Sequence, residues 1–227
     1  MKVVLLNGSP RVHGNTALAL SEMEKIFAAE GVEAEEIAVG SKAVRGCMAC
    51  GGCAKTGKCV YDDVVNEIAP KFEEADGLVV ATPVYYASAN ATVIAVLDRL
   101  FMSTHFDKRM KVGGAIAVAR RAGTVATLDE LYKYFTISGM PVASGSYWTD
   151  VFGQKRGEAA EDEEGMAVAR NLARNMVFLM RSIELGRERY GLPERESYHM
   201  TKGAVQAPSF RHGVKPHVPR GTTDSLL

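Results

Sequence analysis

Apolar residues along the chain are grouped into short runs that are separated by longer amphipathic segments. The clear runs are "VVLL" at 3–6, "LVVA" at 78–81 and "GGAIAVA" at 113–119, and a weaker one is "MPVASG" at 140–145. A further segment, "VEAEEIAV" at 32–39, mixes charged residues into its pattern. Short apolar runs bounded by turn residues indicate buried strands, so the pattern predicts five strands.

The segments between these runs carry apolar residues at helical spacing. Such stripes predict helices that each bury one face. Because strands and helices alternate, the sequence predicts an α/β fold in which helices cover both faces of a parallel sheet, giving three layers, αβα. The stripes comprise Leu20, Met23 and Phe27; Ile94, Leu97 and Phe101; and Met166, Ala169, Leu172, Met176, Leu179 and Ile183.

The strength of each apolar run indicates its place in the sheet. Central parallel strands are covered on both faces and are continuously apolar, whereas edge strands tolerate charge. The two weakest runs are the second, at 32–39, and the fifth, at 140–145. Edges at these two strands predict a doubly wound, five-stranded parallel sheet in the flavodoxin-like order 2-1-3-4-5.

Proline conflicts with one predicted helix. The segment "DDVVNEIAPKFEEADG" has the composition of a single helix with Asp62 or Asp63 at its N-cap. Pro70 lies in its middle, where a proline removes a backbone donor and crowds the preceding turn. We therefore expect a kink or a break at Pro70.

Composition changes after residue 186. The last 41 residues hold four of the eight prolines and three of the five histidines, and they show no apolar period. This composition predicts a main domain at 1–186 and an extended arm at 187–227, which is either a loose tail or a segment wrapped on a neighbouring subunit.

Charge and hydropathy exclude several classes of protein. Lys and Arg total 27, as do Asp and Glu, so the chain lacks the positive charge that a nucleic-acid backbone demands. The start "MKVVLLNGSPR" is too short for a secretory signal, and no apolar run is long enough to cross a membrane. We therefore predict a cytoplasmic protein without a nucleic-acid or membrane partner.

The loop after the first strand has the composition of a phosphate site. In "NGSPRVHGNTALAL", a loop of small residues leaves a strand and opens a helix, whose backbone NH groups and dipole attract an anion. Ser9, Asn15 and Thr16 supply further donors, and Gly14 allows close approach. Neither a Walker sequence nor GxGxxG occurs. The alternative is that Ser9 and Asn15 only form a turn and cap the helix.

Two further loops follow the third and fourth strands. In "TPVYYASANAT" at 82–92, Pro83 is expected to end the strand, and Tyr85 and Tyr86 offer aromatic faces to a flat ring. In "ARRAGT" at 119–124, two adjacent arginines offer positive charge to an anion. Aromatic core packing and solvated arginines are the commoner uses of such residues. A ligand site is favoured because all three loops fall on one rim of the sheet.

All four cysteines lie within "GCMACGGCAKTGKCV" at 46–60. A four-cysteine zinc site usually consists of two separated pairs, whereas three thiolates at successive two-residue gaps suit an iron-sulfur cubane. The last gap holds five residues, where the bacterial ferredoxin run has three and then a proline. Three uses stay open at this point: an iron-sulfur cluster, zinc or another metal, and free thiols or a disulfide.

Together, "GSPRxxGNT", "TPVYYAS" and the basic, glycine-containing loop resemble the NAD(P)H-dependent FMN reductases of the flavodoxin-like superfamily over residues 1–185. The resemblance implies bound FMN, NAD(P)H as an electron donor, and a homodimer or homotetramer. It implies FMN phosphate contacts from Ser9, Arg11, Asn15, Thr16 and Ala17, and ring contacts from Pro83, Val84, Tyr85, Tyr86, Ser88, Arg120, Arg121 and Gly123.

The compact cysteine loop on such a domain resembles the iron-sulfur flavoprotein branch of this superfamily. This implies that Cys47, Cys50, Cys53 and Cys59 bind a 4Fe-4S cluster that exchanges electrons with FMN. The predicted function is an FMN-dependent oxidoreductase that exchanges electrons with small-molecule or protein partners, with no catalytic residue assigned. The alternatives are an FMN or quinone reductase without a cluster and a non-catalytic zinc- or flavin-binding module.

Overall fold

Five parallel strands form the central sheet of the computed structural model, which describes residues 1–196. Their spatial order is β2-β1-β3-β5-β6, and β4 forms a short antiparallel hairpin with β3. Counting the parallel strands alone gives 2-1-3-4-5, so the predicted order is confirmed. The strands are β1 (Lys2–Asn7), β2 (Glu33–Ala38), β3 (Gly77–Tyr85), β4 (Ser88–Ala89), β5 (Val112–Ala119) and β6 (Asp150–Phe152).

Helices cover both faces of this sheet. One core joins α1 and α6 to one face, and a second core joins α3, α4 and α5 to the other. The predicted three-layer αβα arrangement is therefore confirmed. The helices are α1 (Asn15–Ala29), α2 (Cys53–Thr56), α3 (Val64–Glu74), α4 (Ala91–Ser103), α5 (Thr124–Ile137) and α6 (Glu163–Tyr190), with a 3₁₀ turn at Glu158–Glu161 before α6.

Burial along the strands follows the expectation from the apolar runs. Every residue of β5 is buried, as are the first six residues of β3, whereas β2 is only partly buried. The centre of the sheet is therefore continuously apolar, and the charged run at 32–39 occupies an edge.

The fifth strand differs from its prediction. At 140–145 the chain makes only one parallel bridge, between Val142 and Gly113, and then leaves the sheet. It returns at β6, where Asp150 pairs with Ala117 and Phe152 with Ala119. The prediction of a strand at 140–145 was therefore wrong in its position. Apolar residues alone do not predict that the last strand lies at Asp150–Phe152, because an edge strand of three residues is too short to show a pattern.

Two proline expectations also need correction. The expected break at Pro70 does not occur: the α3 helix is continuous from Val64 to Glu74, with Asp63 as its N-cap and with buried apolar residues on both sides of the proline. The β3 strand continues past Pro83 to Tyr85. The neighbouring strand β1 ends opposite Ala81, so no partner on that side requires an NH from Pro83.

The chain forms a compact unit from Met1 to Gly191. Helix α6 continues to Tyr190, past the composition change at residue 186. Most of the predicted arm, residues 197–227, lies outside the described residues. Of the helices within residues 1–196, none is long and apolar enough to cross a membrane.

Candidate functional site

The loop between β1 and α1 is folded by its own hydrogen bonds. The Ser9 NH donates to the buried Asn7 Oδ1 at 2.9 Å, and the Arg11 NH donates to Ser9 Oγ at 3.2 Å. A turn from Gly14 NH to the Arg11 carbonyl, at 3.0 Å, closes the loop. The backbone is thus preset before any ligand arrives.

The start of α1 offers an anion site. Gly14 is the N-cap, no side chain caps the helix, and the first turn holds no acidic residue. The backbone NH groups of this turn, which includes Thr16 and Ala17, have no partner within the helix itself. The positive end of the helix dipole is therefore available to a phosphate group.

The side chain of Asn15 is used differently from the prediction. Its Nδ2 donates to the Lys155 carbonyl at 2.9 Å, and its Oδ1 accepts from the Gly157 NH at 2.9 Å. Arg156 Nε adds a bond to the His13 carbonyl at 2.8 Å. Asn15 thus anchors the segment before the 3₁₀ turn to the start of α1.

The loop after β3 presents an aromatic face on a strained turn. Tyr85 and Ser88 pair across the hairpin, and both residues between them have positive φ, 53° at Tyr86 and 60° at Ala87. Left-handed backbone costs a residue with a side chain roughly 1–2 kcal/mol. Tyr86 is fully exposed and Tyr85 about half exposed. Strain of this kind concentrates at ligand sites, where the surrounding structure enforces it.

Glu130 of α5 holds this turn in place. The Ser88 Oγ and the Ala89 NH both donate to one oxygen of Glu130, at 2.8 and 2.9 Å. The role of Ser88 here is to fix the hairpin to α5. No sequence pattern indicates this role of Glu130, which lies in an ordinary amphipathic helix.

The loop after β5 packs directly on the aromatic turn. Gly123 has a φ of 92°, and a Cβ at this position would lie 2.8 Å from Ala87 Cα and 3.1 Å from Val84 Cγ1. Only glycine allows this approach. Arg120 and Arg121 are exposed and line an open cavity of about 450 Å³, whose wall also includes Gly153 and acidic residues near α6.

Asn90 joins the first two loops. Its buried side chain donates from Nδ2 to the Gly8 carbonyl at 2.7 Å and accepts from the Thr92 NH at 3.0 Å, which caps α4. Its own NH donates to Thr82 Oγ1 at 3.0 Å. The structure therefore brings the three predicted loops together at the carboxyl ends of β1, β3 and β5. Asn90 lies in the polar loop at 82–92 that the sequence already indicates, and an asparagine just before a helix is a further sequence signal for it.

Gly40, after β2, completes the support of the phosphate loop. A Cβ at Gly40 would overlap the carbonyl oxygen of Gly8 and the carbonyl carbon of Ser9. The backbone of this residue lies directly beneath the loop, so only hydrogen fits at this position. Sequence reasoning missed Gly40, because a lone glycine after a strand carries no pattern.

The four cysteines lie on one extended loop that includes the short helix α2. Cys47 and Cys50 are exposed, Cys53 and Cys59 are half-buried, and all four are free thiols. Within residues 1–196, no three Cys, His, Asp or Glu side chains are arranged to hold a metal ion. A Cβ at Gly46 or Gly51 would meet nothing within 4 Å, so the loop lies open.

Cys59 is firmly anchored within this loop. Its NH donates to Asn66 Oδ1 and its carbonyl accepts from Asn66 Nδ2, each at 3.0 Å. Its Sγ accepts a hydrogen bond from Arg99 Nε at 3.1 Å. The backbone and the sulfur of Cys59 are therefore both fixed by α3 and α4.

Arg99 of α4 is almost completely buried, with 1% of its side chain exposed. It makes a bidentate ion pair with Asp63, with N···O distances of 2.7 and 2.9 Å. Burial opposes its charge, but the bonds to Asp63 and Cys59 outweigh that cost and hold the pKa of Arg99 above the ordinary arginine value. The sequence signal for this residue is only a charge within an apolar helix.

Comparisons with known proteins identify the family of this chain. The family model described as NADPH-dependent FMN reductase matches residues 1–154. An iron-sulfur flavoprotein of Methanocaldococcus jannaschii is 34% identical over 192 residues, which are 81% of this chain and 100% of the relative. An iron-sulfur flavoprotein of Methanosarcina thermophila is 30% identical over 193 residues, which are 83% of this chain and 100% of the relative.

Solved structures confirm the fold. A flavodoxin from the domain Archaea matches with a TM-score of 0.52 and 14% identity, covering 78% of this chain and 99% of that one. The structure of RosB with a bound flavin phosphate intermediate matches with a TM-score of 0.65 and 16% identity over the full length of both chains. By its sequence, the chain belongs to the iron-sulfur flavoprotein branch of the NADPH-dependent FMN reductase family.

Proposed function

We propose that this protein is an FMN-dependent electron-transfer oxidoreductase whose cysteine loop binds a 4Fe-4S cluster. The observation that carries the proposal is the meeting of three loops at one edge of the sheet, on a chain that also holds four thiols in thirteen positions. The family supports the FMN-dependent oxidoreductase activity directly.

The residues at this edge fit FMN. The uncapped start of α1, together with Ser9, Arg11, Thr16 and Ala17, suits a phosphate group, and the tight approach of Gly40 leaves the loop little freedom to move. We assign the ring to the side formed by Pro83, Val84, Tyr85 and Tyr86, with the 120–123 loop beside it. A flat, partly apolar ring would cover the exposed Tyr86 face.

FMN, when bound, accepts a pair of electrons as hydride or passes single electrons. The chain contributes orientation and electrostatics. The turn sets the backbone of Tyr86 at positive φ, Glu130 fixes that turn, and the helix dipole would offset phosphate charge. His13 is exposed on the phosphate loop, and its ring has no role in this scheme.

The donor chemistry of the cysteine loop fits an iron-sulfur cluster, although the four sulfurs are not gathered into one site within residues 1–196. Cys59 is already fixed, and the open glycines at 46 and 51 leave the rest of the loop free to close toward it. We assign Cys47, Cys50, Cys53 and Cys59 as the ligands.

Three further assignments belong to this proposal. NAD(P)H is the electron donor, as the family description indicates, and the cytoplasm is the compartment, because free thiols suit a reducing environment. We also propose a homodimer or homotetramer. The exposed Phe178 and Leu185, one heptad apart on α6, are apolar residues that a second subunit would cover.

The test is to purify the full chain without oxygen and to measure its absorption spectrum, iron, acid-labile sulfide, zinc and mass in solution. We expect flavin bands, a broad absorption bleached by dithionite, about four irons per chain and an oligomer. Flavin without iron would favour an FMN or quinone reductase with free thiols, which the separated sulfurs of this structure also suit. Zinc without flavin would overturn both assignments in favour of a binding module.

Replacing Asn90 should weaken FMN binding. Asn90→Ala removes both the bond to the Gly8 carbonyl and the cap of α4, each worth about 1 kcal/mol, so we expect roughly tenfold weaker FMN binding and lower stability. FMN fluorescence quenching measures the affinity. Asn90→Ser is the matched comparison, because serine also caps a helix but carries no amide donor for the Gly8 carbonyl. Equal affinity in both variants and the unaltered chain would contradict this role.

A further inference from the structure

We propose that Arg99 is a positioning residue for the iron-sulfur cluster. Arg99 holds Cys59 in place as a ligand, and its hydrogen bond to the Cys59 sulfur raises the reduction potential of the cluster. This inference rests on the proposed cluster. It concerns a residue of α4 that lies outside the cysteine motif and outside the three flavin loops.

The hydrogen bonds of Arg99 all serve the segment around the cysteines. Its guanidinium carries five NH donors, and five hydrogen bonds account for them. Two go to Asp63, one goes to the Arg45 carbonyl at 3.2 Å, one to the Tyr61 carbonyl at 3.3 Å, and one to Cys59 Sγ at 3.1 Å. All five NH donors of the Arg99 guanidinium therefore have acceptors, and the acceptor of Nε is the Cys59 sulfur.

A buried guanidinium is costly unless its charge is matched. Asp63 supplies one negative charge, and Cys59 would supply another as a cluster ligand. A structural ion pair alone would require only Asp63. The additional bond to sulfur indicates that this charge also serves the ligand, since hydrogen bonds to ligand sulfurs tune iron-sulfur centres.

A second observation comes from the same helix. Ser103 follows Arg99 by one turn, on the same face of α4, and is buried. Its Oγ has no hydrogen-bond partner among residues 1–196. The Cys53 Sγ also contacts this helix, at 3.8 Å from the Met102 carbonyl. Arg99 and the Met102 carbonyl therefore place polar groups of α4 beside Cys59 and Cys53.

The sign of the effect follows from charge. One-electron reduction makes a cluster more negative, so a positive charge and an NH donor beside a ligand sulfur favour the reduced form. The carboxylate of Asp63 has the opposite effect. Loss of the Arg99 bond should lower the potential, and loss of the Asp63 charge should raise it.

The test compares three variants of the full chain, purified without oxygen and titrated with dithionite while EPR follows the reduced cluster. Arg99→Lys keeps the charge but loses the Nε donor, and we expect the reduced form to be disfavoured about tenfold, which is about 59 mV for one electron. Asp63→Asn keeps an N-cap for α3 and should shift the potential upward. Arg45→Gln is the control, because it removes a nearby exposed charge that does not contact the sulfur.

Opposite shifts in Arg99→Lys and Asp63→Asn, larger than any shift in Arg45→Gln, support the inference. Unchanged potentials in a protein that holds its iron overturn it, while leaving the proposed function intact. An unaltered chain without iron overturns the proposed function itself and this inference with it. If a single variant fails to fold, Arg99→Met/Asp63→Asn removes both charges of the pair, so neither is left unpaired. We expect its potential to lie below that of the unaltered chain, because Arg99 contacts the sulfur directly whereas Asp63 does not, and an equal or higher potential would overturn the inference.

Discussion

Gly40→Ala should weaken FMN binding by up to about a hundredfold. The added Cβ would overlap the backbone of Gly8 and Ser9, and neither atom belongs to a flexible side chain that can move aside. Overpacking costs roughly 1–3 kcal/mol, and the upper end corresponds to an affinity about a hundredfold weaker. The distortion falls on the loop that is assigned to the phosphate, so binding should suffer more than the fold.

Flavin content after purification and titration of the apoprotein with FMN measure this effect. Gly186→Ala is the matched control, because a Cβ there meets nothing within 4 Å and the residue lies in α6. That variant should bind FMN normally and gain up to about 1 kcal/mol of stability. Normal FMN affinity in Gly40→Ala would show that the loop tolerates displacement and that its geometry does not govern binding.

Cys50→Ala should remove the cluster and leave FMN bound. Cys50 is exposed on the open loop, so its loss should cost little stability, whereas a cubane that lacks one of four thiolates is poorly held. The phosphate loop is supported by Gly40, which lies against Gly8 and Ser9, and by Asn90, whose bonds go to Gly8, Thr82 and Thr92 and not to the cysteine loop. The expected result is near-complete loss of iron and sulfide with unchanged flavin content.

Iron and flavin assays on the same anaerobic preparation measure both sites at once. Met48→Leu, an exposed neighbour in the same loop, is the control and should keep its iron. Loss of flavin together with iron would mean that the two sites depend on each other. Iron retained in Cys50→Ala would remove Cys50 from the ligand set.

The apolar pattern predicted the fold well because burial on both faces leaves a clear mark on central strands. Strands β1, β3 and β5 were found as continuous apolar runs, and the charged second strand was placed at an edge. The fifth strand was misplaced, since three paired residues after an excursion from the sheet are too few to form a pattern. The local pattern of apolar residues therefore does not predict the position at which the chain returns to the sheet as β6.

The candidate site was predicted by loop composition but not by its supports. Ser9, Tyr86 and Gly123 lie in the three loops that the sequence singled out, and the structure brings those loops together. The supporting contacts of this site join residues that are distant in sequence, and one sequence alone does not reveal such contacts. They are made by Gly40, Asn90, Glu130 and Arg99.

Cys59 has the least regular spacing of the four cysteines, yet its sulfur and its backbone are both fixed. Helices α3 and α4 supply its hydrogen-bond partners, which spacing rules do not consider.

Helix α4 connects the two candidate cofactor sites and sets the distance between them. Its N-cap, Asn90, touches the flavin loops, and Arg99 on its far half holds the cysteine loop. At the usual rise of an α-helix these two residues are about 14 Å apart along the axis. The separation between Asn90 and Arg99 is thus set by the length of a helix. Motion of the glycine-rich cysteine loop should change the surroundings of the exposed Cys47 and Cys50. It should leave unchanged the position of Cys59 relative to the three flavin loops, because Arg99 holds its sulfur.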